Sequence, residues 1–370
     1  MEKSALTINK NHSSNQMLRS VRFFSGSIAA SKNFGFIGLG QMGQHMARHI
    51  YNQLEPQDTL YVYDAVPLAT DAFVEKNSTP EKASQLVPLK SLSLFVTDVD
   101  SQLDFIITMV PEGKHVKAVI QDLVLSYQKQ PLLQPMTFLD SSTIDISTSR
   151  EVHEFVKSTI PSFDFIDTPV SGGVAGARKA SLSFMLSRET IEDVSPALTS
   201  LLNKMGKNIF ACGPSHGSGL AAKLANNYLL AVTNLAVADS FQLANTFNLN
   251  LQQYAKLVAV STGKSWASVD NCPIAGAYPK EYNLPADSGY EGGFITKLTK
   301  KDLVLATDCA AEYNRFLFLG DISRKWYLKA CEREDLGSRD LGVLFEWLGQ
   351  IEERNGEVVD TKTSEPLKIN

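Results

Sequence analysis

The stretch Phe34 to Ile50, FGFIGLGQMGQHMARHI, passes from residues suited to a buried strand, through a turn with three glycines, into residues suited to a helix. The glycines stand as Gly38-x-Gly40-x-x-Gly43. In a dinucleotide turn the first makes the tight bend, the second lets a pyrophosphate approach the backbone, and the third lets helix pack on strand. The helix N-terminus then offers its amides to the anion. By itself such a motif is weak, because similar glycines serve many tight turns. Its surroundings strengthen it: a second strand, LYVYD, ends in Asp64, 21 residues beyond Gly43, where this fold needs a carboxylate for the ribose. Gly38, Leu39, Gly40, Gln41, Met42, Gly43 and Asp64 are therefore the candidate cofactor cradle. Asp64 would accept both ribose hydroxyls of NAD and repel the extra phosphate of NADP, and no Arg follows it closely, so NAD is expected. The plain alternative is an aspartate closing a strand.

Outward from this stretch, short apolar runs alternate with helical ones: FGFIG, LYVYD, LDFIITMV, MTFLD, FDFIDTPV, SLSFML and NIFACG. Alternation of this kind predicts an α/β, Rossmann-type doubly wound sheet. The segment Pro80 to Val99 fits neither period and reads as a surface excursion. Beyond CGPSHGSG the strands stop and an all-α C-terminal domain is expected, interrupted by an irregular loop from Thr262 to Gly293. The divisions follow: 33–213 for the dinucleotide domain, 214–354 for the helical domain, which would serve substrate and oligomer contacts, and 355–370 for a frayed polar tail.

A chain of 370 residues, 44% hydrophobic, is long enough for two cores. A formal charge of −5 with no basic run argues against a nucleic-acid partner. Four scattered cysteines with no C-x-x-C pair suit reduced thiols, and no metal site is expected. His45 and His49 lack the neighbouring Glu of a zinc helix and read as polar positions. The longest apolar region, Leu220 to Ala244, carries Lys223, Asn226, Asn227, Asn234 and Asp239, so it reads as a buried helix and no membrane span is expected. Residues 1–32 set Lys3, Lys10, Arg19 and Arg22 against the single acid Glu2 among many Ser and Asn, the profile of a mitochondrial transit peptide, with a disordered cytosolic tail as the alternative.

GFIGLGQMGQHMA, DTPVSGGVAGARKASLSFML, GSGLAAKLANNYLLA and GGFITKLTKKDLVLA occur in the order and spacing of the β-hydroxyacid dehydrogenases, and the chain resembles that family from Phe34 to about Ile351. The segment from Ser265 to Phe294 further resembles its 3-hydroxyisobutyrate branch, the mitochondrial enzymes of valine breakdown, which implies a matrix location. The resemblance implies oxidation of a small β-hydroxyacid with NAD. Lys223 matches the family's catalytic lysine and Asn227 its neighbouring amide. Ser171, Gly172 and Gly173 match the substrate loop, and Val110, Pro111, His115, Thr143 and Lys301 match cofactor contacts. From the residues themselves, Lys223 and Asn227 share one helical face. Burial and the positive end of the helix would pull the lysine down from about 10.4 toward the range of a general base. A lysine snorkelling to solvent is the alternative.

Departures from the family pattern fall at Ala180 and Ser181, where Gly and Asn are usual, and at Ser187 and Arg188, where two glycines are usual. Two other enzymes remain in view. An NADPH-dependent reductase of small semialdehydes is opposed by Asp64, and a 6-phosphogluconate-type decarboxylase is opposed by Leu230, which stands where that chemistry needs Glu. A non-catalytic relative would lack the lysine. The long apolar helix implies a homodimer or homotetramer.

Overall fold

The computed structural model describes residues 31–367 except 100, 101, 131, 132, 355, 356, 363 and 364. The transit-peptide expectation for 1–32 lies almost wholly outside the described residues.

Six strands form a parallel sheet: β1 (Asn33–Ile37), β2 (Thr59–Tyr63), β3 (Leu86–Pro88), β4 (Phe105–Thr108), β5 (Thr137–Asp140) and β6 (Asp164–Asp167), in the order β3-β2-β1-β4-β5-β6. Helices α1 (Gly43–Asn52), α2 (Pro67–Asn77), α3 (Leu94–Thr97), α4 (Gly113–Tyr127) and α5 (Ile146–Thr159) connect them. Strand alternation explains the two-sided burial. Leu60 and Val62 join Phe34 and Phe36 in one core with Met46 and Ile50 of α1. Tyr61, Ile106 and Phe138 point the other way, to Val116 and Ile120 of α4 and Val152 of α5.

Two findings differ from the sequence reading here. The excursion from Pro80 to Val99 contains β3, which pairs Leu86, Val87 and Pro88 with β2. Three residues show no periodicity, and a proline is tolerated because the strand lies at an edge. SLSFML and NIFACG do not extend the main sheet. With β7 (Val170–Ser171), they form a second sheet as β8 (Leu182–Leu186) and β9 (Gly206–Ala211), in the order β7-β8-β9. Pro169, which has no N–H to donate, separates β6 from β7. Helices α6 (Gly173–Arg178) and α7 (Pro196–Asn203) lie between these strands in the chain.

Beyond them runs α8 (Ser218–Thr246), 29 residues and thus roughly 43 Å long. It is buried on one side through Leu220, Leu224, Ala231 and Phe241, as a buried helix would be, whereas Leu229 and Leu243 on the other side stand exposed. Its polar interior position Asn234 is satisfied, donating to Tyr327 Oη at 3.2 Å and Leu341 O at 3.0 Å. Around it lie α9 (Leu251–Ala259), α10 (Trp266–Val269), α11 (Thr296–Glu312), α12 (Gly320–Ala330), α13 (Glu334–Gly337) and α14 (Leu344–Leu348). No helix among the described residues is long and apolar enough to cross a membrane.

The chain then forms an antiparallel meander, β10 (Ile351–Arg354), β11 (Glu357–Asp360) and β12 (Glu365–Pro366); β10 closes the stretch that the sequence reading gives to the all-α domain, and β11 and β12 stand where it expects a frayed tail. What holds it is tertiary: buried Asp360 accepts from Arg333 Nη1 at 3.0 Å and from Trp347 Nε1 at 3.1 Å. A run such as IEER carries no apolar alternation to announce a strand.

Candidate active site

The glycine turn leaves β1 and enters α1 under tight steric limits. Gly38 takes φ +98°, and a Cβ on it would stand 2.3 Å from Met109 O. One on Gly43 would stand 1.8 Å from Gly38 O. At Gly40 nothing lies within 4 Å, so the backbone there is open to an approaching group. Asp64 Oδ2 accepts from Leu39 N at 2.7 Å and its Oδ1 from Val66 N at 2.8 Å. The carboxylate thus ties the turn to the end of β2, and each oxygen keeps a lone pair for a hydroxyl. An open cradle over backbone amides beside a half-buried carboxylate fits a dinucleotide. Gln41 is exposed and Met42 half-buried at the start of α1.

The loops after β4 and β5 flank this turn. Val110 N donates to Ser142 Oγ at 2.9 Å, and Pro111 beside it is exposed. His115, in the first turn of α4, has a buried Nδ1 with no partner among the described residues. Lys301 reaches from α11 and donates to Thr143 O at 2.8 Å, which brings these two expected cofactor contacts together.

The end of α8 nearest the sheet is anchored by side chains from the strands. Gly217 N donates to Asp167 Oδ1 at 3.1 Å, Leu220 N to Asp167 Oδ2 at 2.9 Å, and Gly219 N to Ser187 Oγ at 3.0 Å. Gly219 admits no side chain, since its Cβ would meet Met185 O at 2.3 Å. One turn further on, Lys223 is 8% exposed. Burial holds its ammonium below the ordinary lysine range, with Asp302 opposing and Lys301 adding to the shift. The sequence reading credits the positive helix end as well. There the buried carboxylate of Asp167 lies on the terminal amides and offsets that field, so desolvation carries the effect.

Asn227 Nδ2 donates to Asp302 Oδ2 at 2.6 Å, and Asp302 Oδ1 lies 3.4 Å from Lys301 Nζ. One carboxylate therefore links the candidate catalytic pair to the lysine that grips the Thr143 loop. The sequence reading gives Asp302 only a part in holding local structure, and Asp167 it does not single out. Their signals are present but faint: KKDL places an acid on a face with Thr299 and Ala306, and DTPV places one at a strand end.

Ser171 ends β7, half-buried, and exposed Gly172 and Gly173 follow with φ +127° and +58°. The departures nearby have structural consequences. Ala180 takes the left-handed φ of +49°, a strain of about 1 kcal/mol for a residue with a Cβ. Ser187 supplies the acceptor for Gly219, and Arg188 Nη2 donates to Asp164 Oδ2 at 2.6 Å. An open groove lined by Gln53, Pro196, Thr199 and Lys204 contains none of the candidate groups.

An alcohol-oxidising enzyme needs a dinucleotide cradle and a proton acceptor, and the chain is a dehydrogenase of the kind that uses a nicotinamide nucleotide. Residues 33–213 match the family described as the NAD binding domain of 6-phosphogluconate dehydrogenase. Residues 217–348 match the NAD-binding domain of NADP-dependent 3-hydroxyisobutyrate dehydrogenase. The mitochondrial 3-hydroxyisobutyrate dehydrogenase of Drosophila melanogaster is 34% identical over 85% of this chain and 89% of its own. The Homo sapiens enzyme of the same name is 33% identical over 89% and 90%. A Mycobacterium tuberculosis 3-hydroxyisobutyrate dehydrogenase, solved with L-serine, superposes with a TM-score of 0.72 at 30% identity, covering 86% of this chain and 99% of that one. The chain belongs to the 3-hydroxyisobutyrate dehydrogenase family of β-hydroxyacid dehydrogenases.

Proposed function

We propose that the protein oxidises 3-hydroxyisobutyrate, or a β-hydroxyacid of similar size, to its semialdehyde, with Lys223 as general base. The observation that carries this reading is a buried lysine with a lowered pKa, one helical turn from an amide that is fixed by Asp302. Lys223 Nζ takes the hydroxyl proton as the carbinol carbon gives up its hydride. A bound nicotinamide supplies the acceptor for that hydride. Asn227, held at 2.6 Å from Asp302, orients the substrate oxygen, and burial of the lysine keeps water from competing for the proton. The loop Ser171–Gly173 anchors the carboxylate through a hydroxyl and backbone N–H groups.

The cradle is assigned to Gly38 through Gly43, with Val110, Pro111, His115, Thr143 and Lys301 completing it. NAD is the proposed cofactor, because a carboxylate at the end of β2 beside the glycine turn would repel the extra phosphate of NADP. Leu230 in place of a carboxylic acid favours plain oxidation over decarboxylation. A mitochondrial matrix location agrees with the names of the relatives, and exposed Leu229, Leu243 and Phe247 favour a homo-oligomer.

The test is steady-state turnover of a small β-hydroxyacid panel with NAD and with NADP, for wild type, Lys223→Ala and Lys223→Arg. Both variants should lose on the order of 10² to 10⁴ in kcat while dinucleotide affinity stays nearly intact. Arginine gives no rescue, since a guanidinium stays protonated. Turnover of Lys223→Ala within about threefold of wild type would remove Lys223 as the base, and preference for NADP would overturn the role given to Asp64.

A further inference from the structure

Asp140 ends β5 fully buried, and the proposed chemistry does not use it. Its Oδ1 accepts two hydrogen bonds, from Thr108 Oγ1 at 2.8 Å and from Ser142 N at 3.1 Å. Thr108 ends β4, and Ser142 is the second residue of the loop after β5. The chain of contacts continues, because Ser142 Oγ accepts from Val110 N at 2.9 Å in the loop after β4. Backbone bonds reinforce the same strand ends: Ser141 N donates to Thr108 O at 2.8 Å, and Thr168 N to Asp140 O at 2.8 Å. One carboxylate oxygen thus joins the exits of two adjacent strands, and the loops it joins carry Val110 and Pro111 on one side and Thr143 on the other.

We propose that Asp140 is a positioning residue for the nicotinamide nucleotide, fixing the separation of the 110–111 and 141–143 loops through Thr108 and Ser142. The inference rests on the dehydrogenase reading, since those loops matter as a pair only if they clasp a cofactor. Thr143 is gripped independently by Lys301, so a loop set correctly against β4 is also set correctly against α11. Asp140 Oδ2 is buried with no partner among the described residues, which marks a group kept for its other oxygen. Burial pushes the carboxyl up to about 6, against the hydrogen bonds from Ser142 and Thr108 and with the help of Asp167. Since Oδ2 can hold a proton without disturbing Oδ1, the two accepted bonds survive in either form.

The experiment measures dinucleotide Kd by isothermal titration calorimetry, with NAD and with NADP, and kcat at saturating dinucleotide, for Asp140→Asn, Asp140→Ala and Ser142→Ala. Asp140→Asn keeps an acceptor oxygen and should bind within about threefold of wild type. Asp140→Ala and Ser142→Ala should each raise Kd on the order of tenfold, the loss of about one hydrogen bond's worth of order, with kcat within about threefold. Wild-type Kd in Ser142→Ala overturns the proposal even if Asp140→Ala fails to fold. So does a drop in kcat at unchanged Kd, or an Asp140→Asn as weak as Asp140→Ala. A wild-type protein that binds neither dinucleotide counts against the dehydrogenase reading itself.

Discussion

At Lys223 the folded state binds a proton less readily than the unfolded chain does, because the ammonium must lose its water to enter the interior. A folded pKa below the unfolded value means that the penalty is fully present below the folded pKa and fades as pH rises toward about 10.4. Replacing Lys223 by methionine keeps the length and removes the charge. Lys223→Met should therefore stabilise the protein at pH 7, by about 1–2 kcal/mol, with the advantage shrinking as pH rises. Thermal denaturation of both proteins between pH 7 and pH 10 checks this, and an advantage that grows with pH would reverse the assigned direction. The same residue shows what a single sequence can disclose. A lysine in the apolar run GLAAKLANNYLLA is legible as buried, and Asn227 is legible on its face. Asp302 is not, because its partner lies 75 positions away and no local period connects them.

Among the elements, α8 is fixed at one end by contacts that tolerate little change. Asp167 offers one oxygen to Gly217 N and the other to Leu220 N, and Ser187 covers Gly219 N between them. Asp167→Asn would turn an NH₂ group toward one of those amides, placing donor against donor. It should destabilise the protein by about 1–3 kcal/mol and lower kcat by shifting the turn that carries Lys223. Chemical denaturation and turnover measured on the same preparation test both effects, and an Asn variant with unchanged stability would show that the amides find other partners. Elements with strong periods were readable from sequence: the buried strand FGFI, the glycine turn and α8 all stand where the pattern places them. β3 and the meander of β10 to β12 were not. Three edge residues and strands rich in charge show no alternation, and their pairing is decided by β2 and by Asp360. The loops that flank the turn were placed by resemblance to relatives, since nothing in MVP or SST names a ligand by itself.

On the scale of the whole molecule, the sheet and the helices beyond it share contacts that make them answer to one another. Lys301 to Thr143 O and Gly217 to Asp167 both cross from the helical region to strand exits. Asp360 does a different task, closing the meander over Trp347 and Arg333. Asp360→Ala should loosen that corner while leaving dinucleotide Kd within about twofold, because Arg333 and Trp347 are not among the cradle residues; a tenfold change in Kd would show that the meander reaches the site. The three tryptophans add an optical property. Trp266, Trp326 and Trp347 all fall in the helical region, none lies between residues 33 and 213, and the Trp326 and Trp347 rings meet edge to face with centroids 5.4 Å apart. Intrinsic emission excited at the indole band is therefore a private signal of one region. It will redden in Asp360→Ala as Trp347 gains water, and in a denaturation series it will stay silent about the parallel sheet unless that sheet takes the helices with it.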